Sequence, residues 1–167
     1  MVEHTDLKEI WMVITPHNPL KKKASLAKDY DRLNLVQLAI GDRLNIKASN
    51  IEFGLPKPSY TVDTLVHLKQ KYPEKSFVLI MGGDNLTTLH KWKNYEAILN
   101  QYEIYVYDRP EYDLGKLAKH ESVSIFNAPL MHISGSYIRN EIKAGKNIKY
   151  LVPEPVYEQL SKSNIYK

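Results

Sequence analysis

The sequence predicts an α/β protein built on a doubly wound parallel sheet, and three observations carry that prediction. Two near-continuous apolar runs, residues 10–15 (Ile-Trp-Met-Val-Ile-Thr) and 76–81 (Ser-Phe-Val-Leu-Ile-Met), have the pattern of strands covered on both faces. Segments of helical period alternate with the strands. Clusters of Lys, Gly, Asp and Ser fall just past the strands, at the C-terminal edge where open α/β sheets bind ligands. At 167 residues and 43% hydrophobic content the chain is long enough for one domain with a sizeable core. The absence of cysteine excludes disulfides and thiolate metal sites. With no secretory leader and no run of 18 apolar residues, a soluble cytoplasmic protein is expected, with no membrane partner. A net charge of +4 favours anionic partners without choosing among them.

In chain order, residues 1–7 read as the tail of a helix, and the strand at 10–15 is closed by Pro16. The loop after it carries Lys21, Lys22 and Lys23, a solvated basic loop or an anion contact. Residues 26–40 place Tyr30, Leu35, Leu38 and Ala39 at helical spacing before Gly41, and 46–53 return as a strand. Prolines 56 and 58 lead into a helix capped by Thr61, with Val62, Leu65 and Val66 inward and Pro73 as its end.

The strand at 76–81 runs into Gly82-Gly83-Asp84-Asn85, where glycines permit a close backbone approach. Asp84 could accept from ribose hydroxyls or serve as a helix N-cap. Trp92 stands among polar neighbours and is a candidate stacking platform for a flat ring, whereas Trp11 reads as core. A helix at 95–100, a strand at 103–107, a weak helix at 114–119 and a strand at 123–126 follow. The last helix, after Pro153 and Pro155, has Val156 and Leu160 as its buried stripe.

Between them lies His132-Ile133-Ser134-Gly135-Ser136-Tyr137-Ile138-Arg139, a loop turning into a helix with Ser134 as N-cap and Gly145 as its stop. No Glu or Gln completes a capping box, which predicts open N–H groups on Gly135, Ser136 and Tyr137. With two hydroxyls, the positive end of the helix dipole and Arg139, that is a plausible polyphosphate seat. A solvated helix terminus is its ordinary alternative.

Residues 133–139 resemble the second signature of nucleotidylyltransferases of the HxGH superfamily, I-S-S-T-x-I-R or a near variant. The Pro58-Ser59-Tyr60-Thr61 turn, the Gly82-Gly83-Asp84 strand exit, Trp92 eight residues beyond, the loop at 16–23 and Tyr150-Leu151-Val152-Pro153 are similar, in order and spacing, to nicotinate-nucleotide adenylyltransferases. The resemblance implies a Rossmann-like fold and a reaction in which ATP and nicotinate mononucleotide give deamido-NAD and pyrophosphate, with Mg2+ held mainly by the ATP phosphates and no dedicated protein metal site. It implies that Ser134, Gly135, Ser136 and Lys21 hold those phosphates while Arg139 and Lys22 stabilise the charge in transfer. Gly82 and Asp84 would meet the adenosine ribose. Trp92 would stack on the pyridine ring, with N–H groups of Thr61 and Lys93 on its carboxylate and Arg109 in the same pocket. Gly135 and Ser136 depart from the commoner Ser-Thr, and Lys93 stands where the family often has an aromatic residue.

The superfamily's first signature, His-x-Gly-His after a Gly-rich strand exit, belongs about twenty residues before Ile10, where nine residues stand. None of the six histidines (His4, His17, His67, His90, His120 and His132) carries the pattern. The expectation is a single nucleotidylyltransferase-like domain, N-terminally incomplete and short of its first strand, so that these 167 residues alone give little or no turnover. Two other readings are open: the sister activity on pantetheine phosphate, and a nucleotide sensor that uses the seat without chemistry. No basic helix, zinc spacing or aromatic ribonucleoprotein motif points to nucleic acid. The oligomeric state stays open, a homo-oligomer included.

Overall fold

A computed structural model describes residues 1–19, 26–108, 113–127, 129, 131 and 133–167. In chain order its strands and α-helices are β1 (Ile10–Val13), α1 (Asp29–Ile40), β2 (Ile46–Ser49), α2 (Thr61–Lys71), β3 (Leu79–Gly82), α3 (Gly83–Leu86), α4 (Tyr95–Gln101), β4 (Ile104–Tyr107), β5 (Val123–Phe126), α5 (Gly135–Lys143) and α6 (Glu154–Lys162). Every strand pairing among the described residues is parallel, as the alternation of strand and helix requires. None of the described helices is long and apolar enough to cross a membrane.

The chain forms two compact units, Met1–Ser59 with Met131–Lys167, and Tyr60–Leu130. In the first, β1 pairs with β2 from Ile10↔Ile46 to Val13↔Ser49. Among the described residues its buried cluster is small: Ile148, Val156 and Leu160 are buried together, Leu35, Leu38, Ile138 and Ile142 pack around them, and Ile14 is buried apart from them. The stripe foreseen on α6 is therefore present. The one foreseen on α1 is only half present. That helix starts at Asp29 rather than residue 26, buries no side chain fully, and turns Tyr30 (71% exposed) and Ala39 to solvent. Tyr30 instead meets Phe53 edge to face, with centroids 5.1 Å apart. β1 is also less covered than its apolar run suggests, with Met12 47% exposed.

In the second unit the sheet order is β3-β4-β5, and the core gathers around the central strand, where Ile104 and Val106 are fully buried. Leu86, Leu89 and Ile98 are fully buried beside them. α2 buries Val62, Thr64, Leu65 and Leu68. Leu68 takes the place foreseen for Val66, which is 42% exposed, because the inward stripe continues at i+3 from Leu65. Thr61 is the first helical residue and Tyr60 the N-cap, with no side-chain cap bond. The strand foreseen at 76–81 is shifted to Leu79–Gly82, and the one at 46–53 ends at Ser49 in a short 3-10 turn, Ile51–Gly54.

Candidate active site

The N-terminus of α5 is built as the sequence proposes, with one correction. Ser134, in extended conformation, accepts the Tyr137 N–H on its Oγ at 3.1 Å. That is an ordinary N-cap to the N3 position, and it needs no Glu. Tyr137 is thus engaged, and the open donors are two: among the described residues, neither the Gly135 nor the Ser136 N–H meets an acceptor. Arg139 reaches back along the same turn and donates from Nη2 to Ser136 Oγ at 2.9 Å. Both serine oxygens accept, so each hydroxyl hydrogen stays available to an incoming anion.

Gly135 stands where the signature more often has serine. A Cβ at Gly135 would stand 3.2 Å from Arg139 Nη1. Glycine lets the guanidinium lie close along the helix terminus. Among the described residues no carboxylate pairs with Arg139. Two N–H groups, two hydroxyls, the dipole and a guanidinium without a described acidic partner lie together there, groups of the kind that bind a multiply charged anion.

In the second unit, Gly82 closes β3 and N-caps the short α3. A Cβ on Gly82 would stand 2.5 Å from Asp84 Oδ1 and 2.9 Å from both Cζ and the hydroxyl oxygen of Tyr107. The strand exit is therefore closed to any side chain at residue 82. Asp84 does not cap α3 through its side chain, and its Oδ1 is buried. Its carbonyl accepts from Thr87 Oγ1 at 2.9 Å. Tyr107 was missed by sequence reasoning; its place opposite Gly82 follows from the β3–β4 register, which pairs those two residues.

Trp92, the candidate stacking platform, stands at the edge of the second unit's core. It is half-buried against the core cluster, and its indole Nε1 is buried with no hydrogen-bond partner among the described residues. The polar stretch around it hides the fully buried Leu89. Lys93 Nζ pairs with Asp63 at 2.9 Å and lies 4.6 Å over the Tyr60 ring, which brings it to the first turn of α2. The Thr61 and Lys93 N–H groups meet no acceptor among the described residues. Thr61 owes this to its place at the helix start, where backbone donors have no intrahelical partner.

At the exit of β1, Arg32 donates from Nη2 to the Thr15 carbonyl at 2.8 Å and to Asp29 Oδ1 at 2.9 Å, tying α1 to the strand end. The Ser59 N–H donates to the His17 carbonyl at 2.9 Å. A cavity of about 340 Å³ opens there, lined by Pro16, Leu26, Ala27, Lys28 and Asp29. Arg32 was not foreseen; the Asp29-Arg32 spacing of three on a helix is the signal that could have found it. Lys21, Lys22 and Arg109 lie outside the described residues. No three His, Asp or Glu side chains gather into a metal-holding group among the described residues.

Comparison with known proteins fits this geometry. A family model for cytidylyltransferase-like proteins matches residues 1–141. A Flavobacterium johnsoniae protein named "Probable nicotinate-nucleotide adenylyltransferase" is 54% identical over 169 residues, covering all of this chain and 88% of that relative. One of the same name from Flavobacterium psychrophilum is 52% identical, with the same coverage. The fold matches that of the Plasmodium falciparum nicotinic acid mononucleotide adenylyltransferase complexed with NaAD at a TM-score of 0.76 and 20% identity, over 95% of this chain and 82% of that one. With relatives of that name 54% and 52% identical over the whole of it, and a family model matching residues 1–141, the chain belongs to the nicotinate-nucleotide adenylyltransferase family.

Proposed function

We propose that the chain transfers AMP from ATP to nicotinate mononucleotide, giving deamido-NAD and pyrophosphate, as a step of NAD biosynthesis in the cytoplasm. A phosphate oxygen of the mononucleotide bonds to the α-phosphorus of ATP while the bond from that phosphorus to the β-phosphate oxygen breaks, and pyrophosphate leaves. No covalent enzyme intermediate forms. The protein aligns the reactants and stabilises charge on the phosphoryl oxygens and the leaving group. Ser134, Gly135, Ser136 and Arg139 do this at α5, with Lys21 and Lys22 assisting. Gly82 and Asp84 take the ribose. Trp92 meets the pyridine ring, Thr61 and Lys93 N–H groups take its carboxylate, and Arg109 serves the same pocket. Magnesium arrives on the ATP phosphates, whose oxygens are its main ligands.

One observation carries this reading: among the described residues, the α5 terminus presents two N–H groups without acceptors beside a guanidinium without an acidic partner. The relatives' shared name supports the choice of acceptor. Calorimetric titration of Mg-ATP tests the seat. Arg139→Ala should weaken ATP binding roughly tenfold to a hundredfold, the worth of hydrogen bonds to a charged group. Titrating nicotinate mononucleotide, nicotinamide mononucleotide and pantetheine phosphate tests the acceptor, and nicotinate mononucleotide should bind tightest. Pyrophosphate release should be slight, since the 167 residues carry no His-x-Gly-His. An Arg139→Ala variant that binds ATP as tightly as the parent, or a preference for pantetheine phosphate, overturns the proposal.

A further inference from the structure

We propose that Tyr166, next to the last residue, is a positioning residue that holds Arg139 at the N-terminal turn of α5; this rests on reading that turn as the ATP phosphate seat. The guanidinium carbon of Arg139 lies 5.9 Å from the centroid of the Tyr166 ring, within the range at which a cation is drawn to an aromatic face. Its other neighbours are the Ser136 hydroxyl at 2.9 Å and the bare Cα of Gly135. A ring, a hydroxyl and a glycine fix the guanidinium without neutralising it. An arginine in a structural ion pair would have spent its charge on a carboxylate, whereas this one keeps it for a ligand.

The chain end is shaped to deliver the ring. Tyr166 takes φ +67°, the left-handed region that is costly for a residue with a Cβ. Three bonds fasten the turn around it: Lys167 N–H to the Asn164 carbonyl at 3.4 Å, Lys167 Nζ to the Ser161 carbonyl at 3.0 Å, and Ile165 N–H to Ser163 Oγ at 3.4 Å. Tyr166, Ile138, Ile142 and Ile165 all pack against the buried cluster of Ile148, Val156 and Leu160. Ile138 and Ile142 belong to α5 itself, so the tail and that helix share one buried cluster.

The test titrates Mg-ATP into the full chain and into Tyr166→Leu, Tyr166→Phe, Arg139→Ala and the Arg139→Ala/Tyr166→Leu double variant. Leucine keeps apolar bulk but removes the aromatic face, and should weaken ATP binding about threefold to fivefold. Phenylalanine should restore the parent affinity. In the Arg139→Ala background Tyr166→Leu should change nothing further, an outcome that a purely structural role does not produce. Should Tyr166→Leu melt below the titration temperature, Tyr166→Met carries the same comparison. Parent-like affinity in Tyr166→Leu, or an equal loss with and without Arg139, overturns the inference alone. Parent-like affinity in Arg139→Ala removes the seat, and this inference with it.

Discussion

The two units hold their candidate ligand groups in opposite ways. At α5 the groups sit on a helix that buries none of its own residues, above a core of three buried side chains. At β3 they sit on the rim of a core with five fully buried side chains, and both Gly82 and Trp92 are packed into it. The contrast suits the chemistry. A phosphate seat works through backbone donors and charge, which a lightly packed helix terminus can offer to solvent. A pocket for flat rings works through shape, which requires neighbours that do not move.

The largest effect that can break this comparison comes from matched truncations. Ile104 is fully buried in the central strand, so Ile104→Ala should cost about 2–5 kcal/mol. Ile138, half-buried against the smaller core, should cost clearly less when changed to Ala. Urea unfolding of both variants measures the difference. Equal losses would mean that the two cores are equally tight, and the contrast between a lightly and a firmly packed unit would fail.

The sequence made the same contrast legible only in part. Parallel pairing, the α6 stripe and the Ser134 cap could be read because each depends on residues near in sequence and on a known period. Where packing decides, the reading slipped. Tyr30 has the spacing of a core residue but faces solvent, because α1 fully buries no side chain that could draw it inward. Trp92 keeps its candidate role, but its packing against a core that fills in from α4 and β4 is not announced by its polar neighbours in sequence. Tyr107 over Gly82 and Tyr166 over Arg139 are contacts across 25 and 27 residues, and no local pattern announces them.

A smaller effect sharpens the comparison at its two glycines. In Gly82→Ala the new methyl would meet Asp84 Oδ1 at 2.5 Å and the Tyr107 ring at 2.9 Å, so side chains at a packed rim must shift. A stability loss of about 1–3 kcal/mol is expected, as for overpacking elsewhere in a core. In Gly135→Ala the methyl meets only the far end of Arg139, at 3.2 Å, which can give way by moving. That change should leave the melting temperature where it is and appear as weaker ATP binding. Thermal melts paired with ATP titrations check both, and a Gly135→Ala variant that loses as much stability as Gly82→Ala would erase the distinction.

The smallest effect lies at Tyr102, where the firm core works against itself. The side chain is 7% exposed, and its hydroxyl finds no partner among the described residues. Burial pushes its pKa above the usual 10.0, since the phenolate would lose water with nothing to replace it. In the unfolded chain the phenol ionises near its ordinary value, while the folded chain still holds the proton. Above that pH the unfolded state binds fewer protons than the folded one, so stability is complete below pH 10 and falls as pH rises through the folded pKa. Tyr102→Phe removes both the ionisation and the unmatched hydroxyl. It should be neutral or stabilising by up to ~1 kcal/mol at pH 7, with a flatter loss of stability above pH 10. Urea midpoints from pH 7 to pH 11 measure this. A variant less stable than the parent at pH 7 would mean that the hydroxyl does have a partner in solution, and that the core is wetter than its packing suggests.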